Sequence, residues 1–391
     1  MRRWFAACAA FPASLSELVF LDGPWPGLAL CALLALQPGL ALGALAAGLG
    51  AWVCARLVGA GAPEPRGALL LNALLVGMAI GHLVAPGWGC AGAALVAGAL
   101  GYALAASLRH LLQAWLGLPV MSLPFVLAAA VWWLALARWP ELAPATSAGF
   151  WPAGLLPAEL LALPPAPLAG FLTALGSLLF LPWWPAGAVV ALIILARSRI
   201  LFACALAGWL AGACARGLAG GSWPAAWAAG DGFNAMLAAM AVGAVFLVPS
   251  WRSLALGLVA AVACALIGDA LVAWSAWGGA GLPAFTLPFV VAVLAALHLL
   301  GTVRSPLLAA HPGRTPEDTL AEHWAARARF PGTLRSLAPP FAGCWTVWQG
   351  NDGPWTHRGA WRDALDFIIC DAAGSSHRGD GSRLEDYHAF G

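Results

Sequence analysis

The chain has no lysine, only two tyrosines, and charged side chains at just 9% of its 391 positions. Soluble domains carry about a quarter charged residues, so a water-exposed globule is excluded for most of this polypeptide. All 19 basic residues are arginine; against 17 acids they leave a net charge of +2 and form no cluster, which argues against a nucleic-acid partner. Cysteine lacks pattern. Seven of the nine (Cys8, Cys31, Cys54, Cys90, Cys204, Cys214 and Cys264) stand singly among apolar residues, without a CxxC pair or a Cys/His cluster, so the apolar part offers neither a disulfide framework nor a zinc site. The opening Met1-Arg2-Arg3-Trp4-Phe5 is only weakly like a signal start. Pro12 interrupts its apolar run and no clean cleavage site follows, so the N-terminus reads as retained.

What fills the space is apolar: 62% hydrophobic residues, 22 of them tryptophan, and a mean hydropathy of +0.83. This is the composition of a polytopic membrane protein. Charge is uneven along it. Seven of the 17 acids fall in residues 1–303 and the other ten in the last 88, so the tail is a different kind of polypeptide.

The apolar part repeats itself. Leu118-Pro119-Val120-Met121-Ser122-Leu123-Pro124-Phe125 returns as Leu282-Pro283-Ala284-Phe285-Thr286-Leu287-Pro288-Phe289, each with a hydroxyl two positions before Pro-Phe at the opening of a hydrophobic helix. Phe20 and Gly27 correspond to Phe180 and Gly187 at an offset of 160, Asn72 to Asn234 at 162, and Ser122 to Thr286 at 164. Two homologous halves follow, roughly 12–138 and 172–303. Paired polar interruptions in membrane-length apolar sequence mark a two-fold pore or carrier.

Each half starts with a segment too short for a bilayer, since a hydrocarbon core of roughly 30 Å needs about 20 helical residues. The first runs from Phe11 to Phe20 and stops at Asp22-Gly23-Pro24-Trp25-Pro26-Gly27; the second lies near 172–181 and stops at Pro182-Trp183-Trp184-Pro185. Both read as re-entrant half-helices, admissible at membrane depth only beside protein or a wet cavity. Apolar stretches follow at 28–37, 39–57, 68–83, 89–111 and 123–138, then at 188–196, 200–218, 232–247, 251–275 and 287–303. Five crossings per half is odd, so the second half enters from the opposite side. The expected fold is an all-α polytopic membrane protein of two inverted-topology repeats, each a half-helix plus five membrane helices. The expected domains are a first repeat over 1–138, a linker over 139–171, a second repeat over 172–303, a linker over 304–338 and a tail over 339–391. Arg2 and Arg3 favour an inside N-terminus, while Arg109, Arg197, Arg199 and Arg216 fall on several loops, so orientation stays open.

These residues resemble the urea transporter family. The octet is similar to that family's Leu-Pro-x-x-Thr-x-Pro-Phe hallmark, intact at 282–289 and with Ser122 for Thr in the first copy. Gly232-Phe233-Asn234 and the spacing of Glu17 and Phe20 before Gly27 also resemble it, over about 12–303. The resemblance implies a passive channel for urea or a close small amide, in a homotrimer in a lipid bilayer, expected to be a bacterial inner membrane, without a cofactor. It implies polar pore positions at Glu17 and Ser177, aromatic positions at Phe20 and Phe180 and again at Leu71 and Phe233, and facing hydroxyls at Ser122 and Thr286. Three positions depart from the pattern: Ser177 stands for Gln or Glu, Leu71 for an aromatic and Ser122 for Thr, which implies looser selectivity. A pore for water or another small neutral solute is the alternative. Ser or Thr before Pro also serves to satisfy a carbonyl freed by the helix break, and both roles can hold at once. Asn72 and Asn234 read as structural, and His82, His110 and His298 as interface residues.

Residues 339–391 resemble the start of a lysostaphin-type zinc metallopeptidase domain, with His357 and Asp366 in the places of two zinc ligands. The His-x-His strand that would bring a third ligand and the catalytic His does not occur before Gly391, and a catalytic zinc needs three protein ligands. The tail is therefore expected to be an incomplete, inactive domain, with zinc only if the domain were complete. A bifunctional chain with an active peptidase module is the remaining reading from another class.

Overall fold

A computed structural model describes residues 2–59, 66–136, 138, 139, 142, 164–228, 230–277, 281–309, 312–329, 341 and 343–389, with side chains from Ala9 onward. Most of the 139–171 linker and the end of the 304–338 linker lie outside the described residues. Two compact units result, Met1–Gly332 and Thr333–Gly391.

The first unit is helical. In chain order its helices are α1 (Arg2–Ser16), α2 (Pro24–Ala35), α3 (Pro38–Val58), α4 (Ala68–Leu83), α5 (Trp88–Leu111) and α6 (Leu123–Leu136), then α7 (Ala166–Ser177), α8 (Trp184–Arg197), α9 (Arg199–Leu218), α10 (Trp223–Ala228), α11 (Phe233–Met240), α12 (Trp251–Trp277), α13 (Leu287–Thr302) and α14 (Pro316–Arg329). Proline fixes many of the starts: α2, α3, α7, α8 and α13 each hold one in the first or second helical position, where a missing N–H costs nothing.

Among the described residues, four helices are long and apolar enough to cross a membrane: α3, α5 with its continuation to Leu116, α9 and α12. The α1–α2 pair, bent by 89° between Val19 and Pro24, would be a fifth if it is one span. Among the described residues, shorter apolar helices of 10–17 residues are α4, α6, α7, α8, α13 and the stretch Gly230–Val245 that contains α11. The apolar stretches read from the sequence fall on helices within a few residues, but several of those helices stop short of the length of a full crossing. The first short segment also extends further than expected, since α1 begins at Arg2.

The two bent pairs are built alike. Gly27 in α2 lies on the backbone of Pro12 in α1, and Gly187 in α8 lies on the backbone of Leu172 in α7; at either position a Cβ would overlap the facing carbonyl oxygen. After α13 the chain turns back. Val248 N–H donates to Leu307 O at 2.8 Å and Ala309 N–H to Phe246 O at 2.9 Å, and the Glu317 carboxylate of α14 accepts from Ser198 Oγ at 2.7 Å and Ile200 N–H at 3.1 Å at the start of α9.

The second unit pairs β1 (Thr346–Gln349) antiparallel with β2 (Asp366–Ile368), with a bulge between Val347 and Gln349. Phe341 packs its ring on Trp345 and Phe367 at 4.5 and 4.9 Å. In a following turn, N–H groups of Ser375 and Ala373 hold the Asp371 carboxyl below the usual carboxylate range.

Candidate functional site

The turns that follow α1 and α7 close in the same way. Phe20 N–H donates to Glu17 O and Leu21 N–H to Ser16 O; Phe180 N–H donates to Ser177 O and Leu181 N–H to Gly176 O, all at 3.0–3.1 Å. This closure needs a left-handed residue at the stop. Here that residue is a phenylalanine in both halves, with φ of 57° at Phe20 and 58° at Phe180. The octets hold a second such pair, Met121 at 50° and Phe285 at 48°. A bulky side chain in this region costs on the order of 1–3 kcal/mol and persists only where its surroundings enforce it.

Asparagines supply part of that enforcement. Asn72 is fully buried on α4; its Nδ2 donates to Met121 O at 2.8 Å and to Ala68 O at 2.7 Å, and its Oδ1 accepts from Phe125 N–H at 2.9 Å. Asn234 on α11 donates to Phe285 O at 2.9 Å, but its buried Oδ1 has no hydrogen-bond partner among the described residues. Each amide latches the left-handed residue of the octet that lies about 50 positions further on, and so aims the next side chain.

Those next side chains meet. Ser122 Oγ and Thr286 Oγ1 are 2.8 Å apart, both buried, 164 positions apart in sequence. Two cavities lie about this pair. The first, of about 940 Å³, is lined by Glu17, Phe20, Leu71, Ser122, Thr286 and Phe289 among others, and the second, of about 430 Å³, by Ser177, Phe180, Phe233, Thr286, Phe125 and His82 among others. Leu18, Leu75 and Thr286 line both. The aromatics interlock across the halves: Phe20 packs edge-on against Phe289 and Phe180 against Phe125, each at 6.3 Å between centroids.

The eight residues that the family resemblance gave as pore positions each line one or other cavity, Thr286 both. Glu17 is exposed to the first cavity, and its carboxylate lies against Gly67, the cap of α4, so close that a Cβ there would stand 3.0 Å from Oε1. Gly67 also has φ +55°, which makes glycine the fitting residue twice over. A carboxylate at the positive end of a helix is favourably placed. Ser177 lines the second cavity, but its hydroxyl donates to Thr173 O at 2.9 Å, leaving only its lone pairs for a solute.

Charge separates the cavities. The first is lined by Glu17, Asp22, Arg66, Arg109 and Arg314. In the second, Asp231 is the one carboxylate among the described lining residues, and Arg216 holds it with Nη1 2.8 Å from Oδ1. Sequence reasoning passed over Phe125, Phe289, Leu18 and Leu75. The first two carry a signal, since each closes an octet; the leucines carry none. His82, expected at an interface, lines the second cavity 5.8 Å from the Phe180 ring.

In the second unit His357 Nε2 is 3.2 Å from Asp366 Oδ1, its Nδ1 is 2.8 Å from Gly350 O, and Gln349 Nε2 donates to Asp366 Oδ2 at 2.9 Å. Among the described residues no group of three or more His, Cys, Asp or Glu side chains could hold a metal ion.

The urea transporter family matches residues 9–301, three quarters of the chain. A comparison with curated proteins finds no match. The chain belongs to the urea transporter family, an integral membrane family of transporters and not of enzymes.

Proposed function

We propose that this urea transporter family member conducts urea, or a close small amide, passively along a path through the two cavities, past the Ser122–Thr286 hydroxyl pair. The observation that carries the reading is the meeting of both cavities at Thr286, with Leu18 and Leu75 shared between them. Urea is flat and neutral, with four N–H donors and one carbonyl acceptor. Apolar and aromatic walls with oxygens at Glu17, Ser122, Thr286 and Ser177 replace part of its hydration without holding it tightly. Phe20, Leu71, Phe180 and Phe233 would flank it.

The architecture that goes with this reading is a pair of inverted repeats, 1–138 and 172–303, each of one half-helix and five membrane helices, with linkers over 139–171 and 304–338. Matching left-handed residues, glycine contacts and asparagine latches in the two halves support it. A homotrimer in a bacterial inner membrane goes with it by family. For the tail over 339–391 we propose a metallopeptidase-like fold in which His357 and Asp366 would supply two ligands of a zinc ion.

The test is stopped-flow light scattering on proteoliposomes with urea, formamide, acetamide, glycerol and water. Urea flux that saturates weakly and ignores sodium and proton gradients is the expected result. Flux that collapses with a gradient would overturn passive conduction. Water or glycerol outrunning urea would favour a pore for other small neutral solutes, to which Leu71 and Ser177, shorter or narrower than the family's residues, would contribute.

A further inference from the structure

We infer that chain beyond the family-matched region completes the mouth of the first cavity, and that Arg314 there makes this mouth reject cations. The inference rests on the reading of that cavity as part of the solute path. The family match ends at residue 301, yet Pro312, Gly313 and Arg314 line the cavity together with Glu17 and Asp22.

The position of Arg314 is fixed from both sides. Upstream, Leu307 and Ala309 are bonded to the backbone of Val248 and Phe246. Downstream, Gly313 N–H donates to Thr319 Oγ1 at 2.8 Å, and Glu317 is anchored on Ser198 and Ile200 at the start of α9. The side chain itself is 82% exposed, with Nε 3.8 Å from Asp22 Oδ2. Three arginines, Arg66, Arg109 and Arg314, thus line the same cavity as two carboxylate residues, Glu17 and Asp22.

Shape alone leaves a gap that charge fills. Guanidinium is as flat and nearly as small as urea, so a slot cut for one admits the outline of the other. Desolvation opposes its passage deeper in; a positive mouth lowers its concentration at the entrance and leaves neutral solutes untouched.

The test places a thiol inside the cavity by Leu71→Cys in the full chain and compares its reaction with cationic and anionic methanethiosulfonate reagents of similar size. Rates are normalised to a free thiol and corrected for the parent chain's own cysteines. At low salt the anionic reagent should lead. Arg314→Glu should cut the anion-to-cation rate ratio by roughly three- to ten-fold, Arg314→Ala by less, and Arg314→Lys hardly at all, with the differences shrinking as salt shortens the Debye length. In proteoliposomes the guanidinium-to-urea flux ratio should rise in Arg314→Glu. A rate ratio unchanged in both Arg314→Glu and Arg314→Ala, or a Leu71→Cys thiol that reacts with neither reagent, would overturn the inference. The thiol reaction needs no urea to cross, so absent urea flux in the unaltered protein would count against the proposed function alone.

Discussion

The first and second cavities share a scaffold and differ in lining. Both sit beside a half-helix closed by a left-handed phenylalanine, and both receive an octet whose left-handed residue is latched by a buried asparagine. Yet the first is lined by five charged side chains, the Glu17 carboxylate among them, whereas the second is mostly apolar, holds one paired carboxylate and has a serine whose proton is already given to Thr173. The backbone devices recur because they solve one geometric problem twice. Side chains facing open space are free of that constraint and have diverged.

The largest expected difference lies in the latches. Asn72 makes three hydrogen bonds and Asn234 one, with an acceptor left over. Asn72→Ala strips the buried Phe125 N–H and the part-buried Met121 carbonyl of their partner and should destabilise the protein by about 1–3 kcal/mol, against about 0.5–1.5 kcal/mol for Asn234→Ala. Thermal unfolding in detergent measures both. Equal losses would mean that the asymmetry of the latches has no energetic counterpart.

Next come the hydroxyls. Thr286 lines both cavities and Ser122 only the first, so Thr286→Val should slow urea several-fold, through loss of a bond worth about 1 kcal/mol, and Ser122→Ala should slow it less. Flux unchanged in a folded Thr286→Val protein would assign that oxygen to structure.

The smallest effect concerns the half-helix ends. Glu17→Ala should reduce urea flux more than Ser177→Ala, because the carboxylate faces its cavity while the Ser177 hydroxyl is partly spent on its own helix. Ser177→Gln should lower the acetamide-to-urea flux ratio by refilling the second cavity. A ratio that holds or rises, at normal expression, would remove Ser177 from the path.

Much of this arrangement was legible before the fold. Apolar runs and their proline starts locate the helices within a few residues, because both the membrane-like composition and proline's missing N–H act locally. The repeated octets single out Ser122 and Thr286 and the matched offset singles out Phe20 and Phe180, whereas Glu17 and Ser177 followed only from the resemblance to the urea transporter family. Leu18 and Leu75 were illegible, since a leucine lining a cavity has the same sequence neighbourhood as one in the core. Helix length was only partly legible: hydropathy marks where an apolar stretch lies, while its bend or early stop depends on neighbours, as at the 89° turn between Val19 and Pro24.

By itself the sequence determined the membrane class of the molecule and the repeated segments, with the residue types that recur in them, because composition and periodicity are properties of the chain alone. Tertiary structure decided that Ser122 and Thr286, 164 positions apart, share one hydrogen bond, that Phe20 packs on Phe289 and Phe180 on Phe125, and that Arg314 from beyond the family-matched region reaches the first cavity. These are long-range juxtapositions. They arise from which helix faces pack together, and a one-dimensional pattern carries each face without naming its partner.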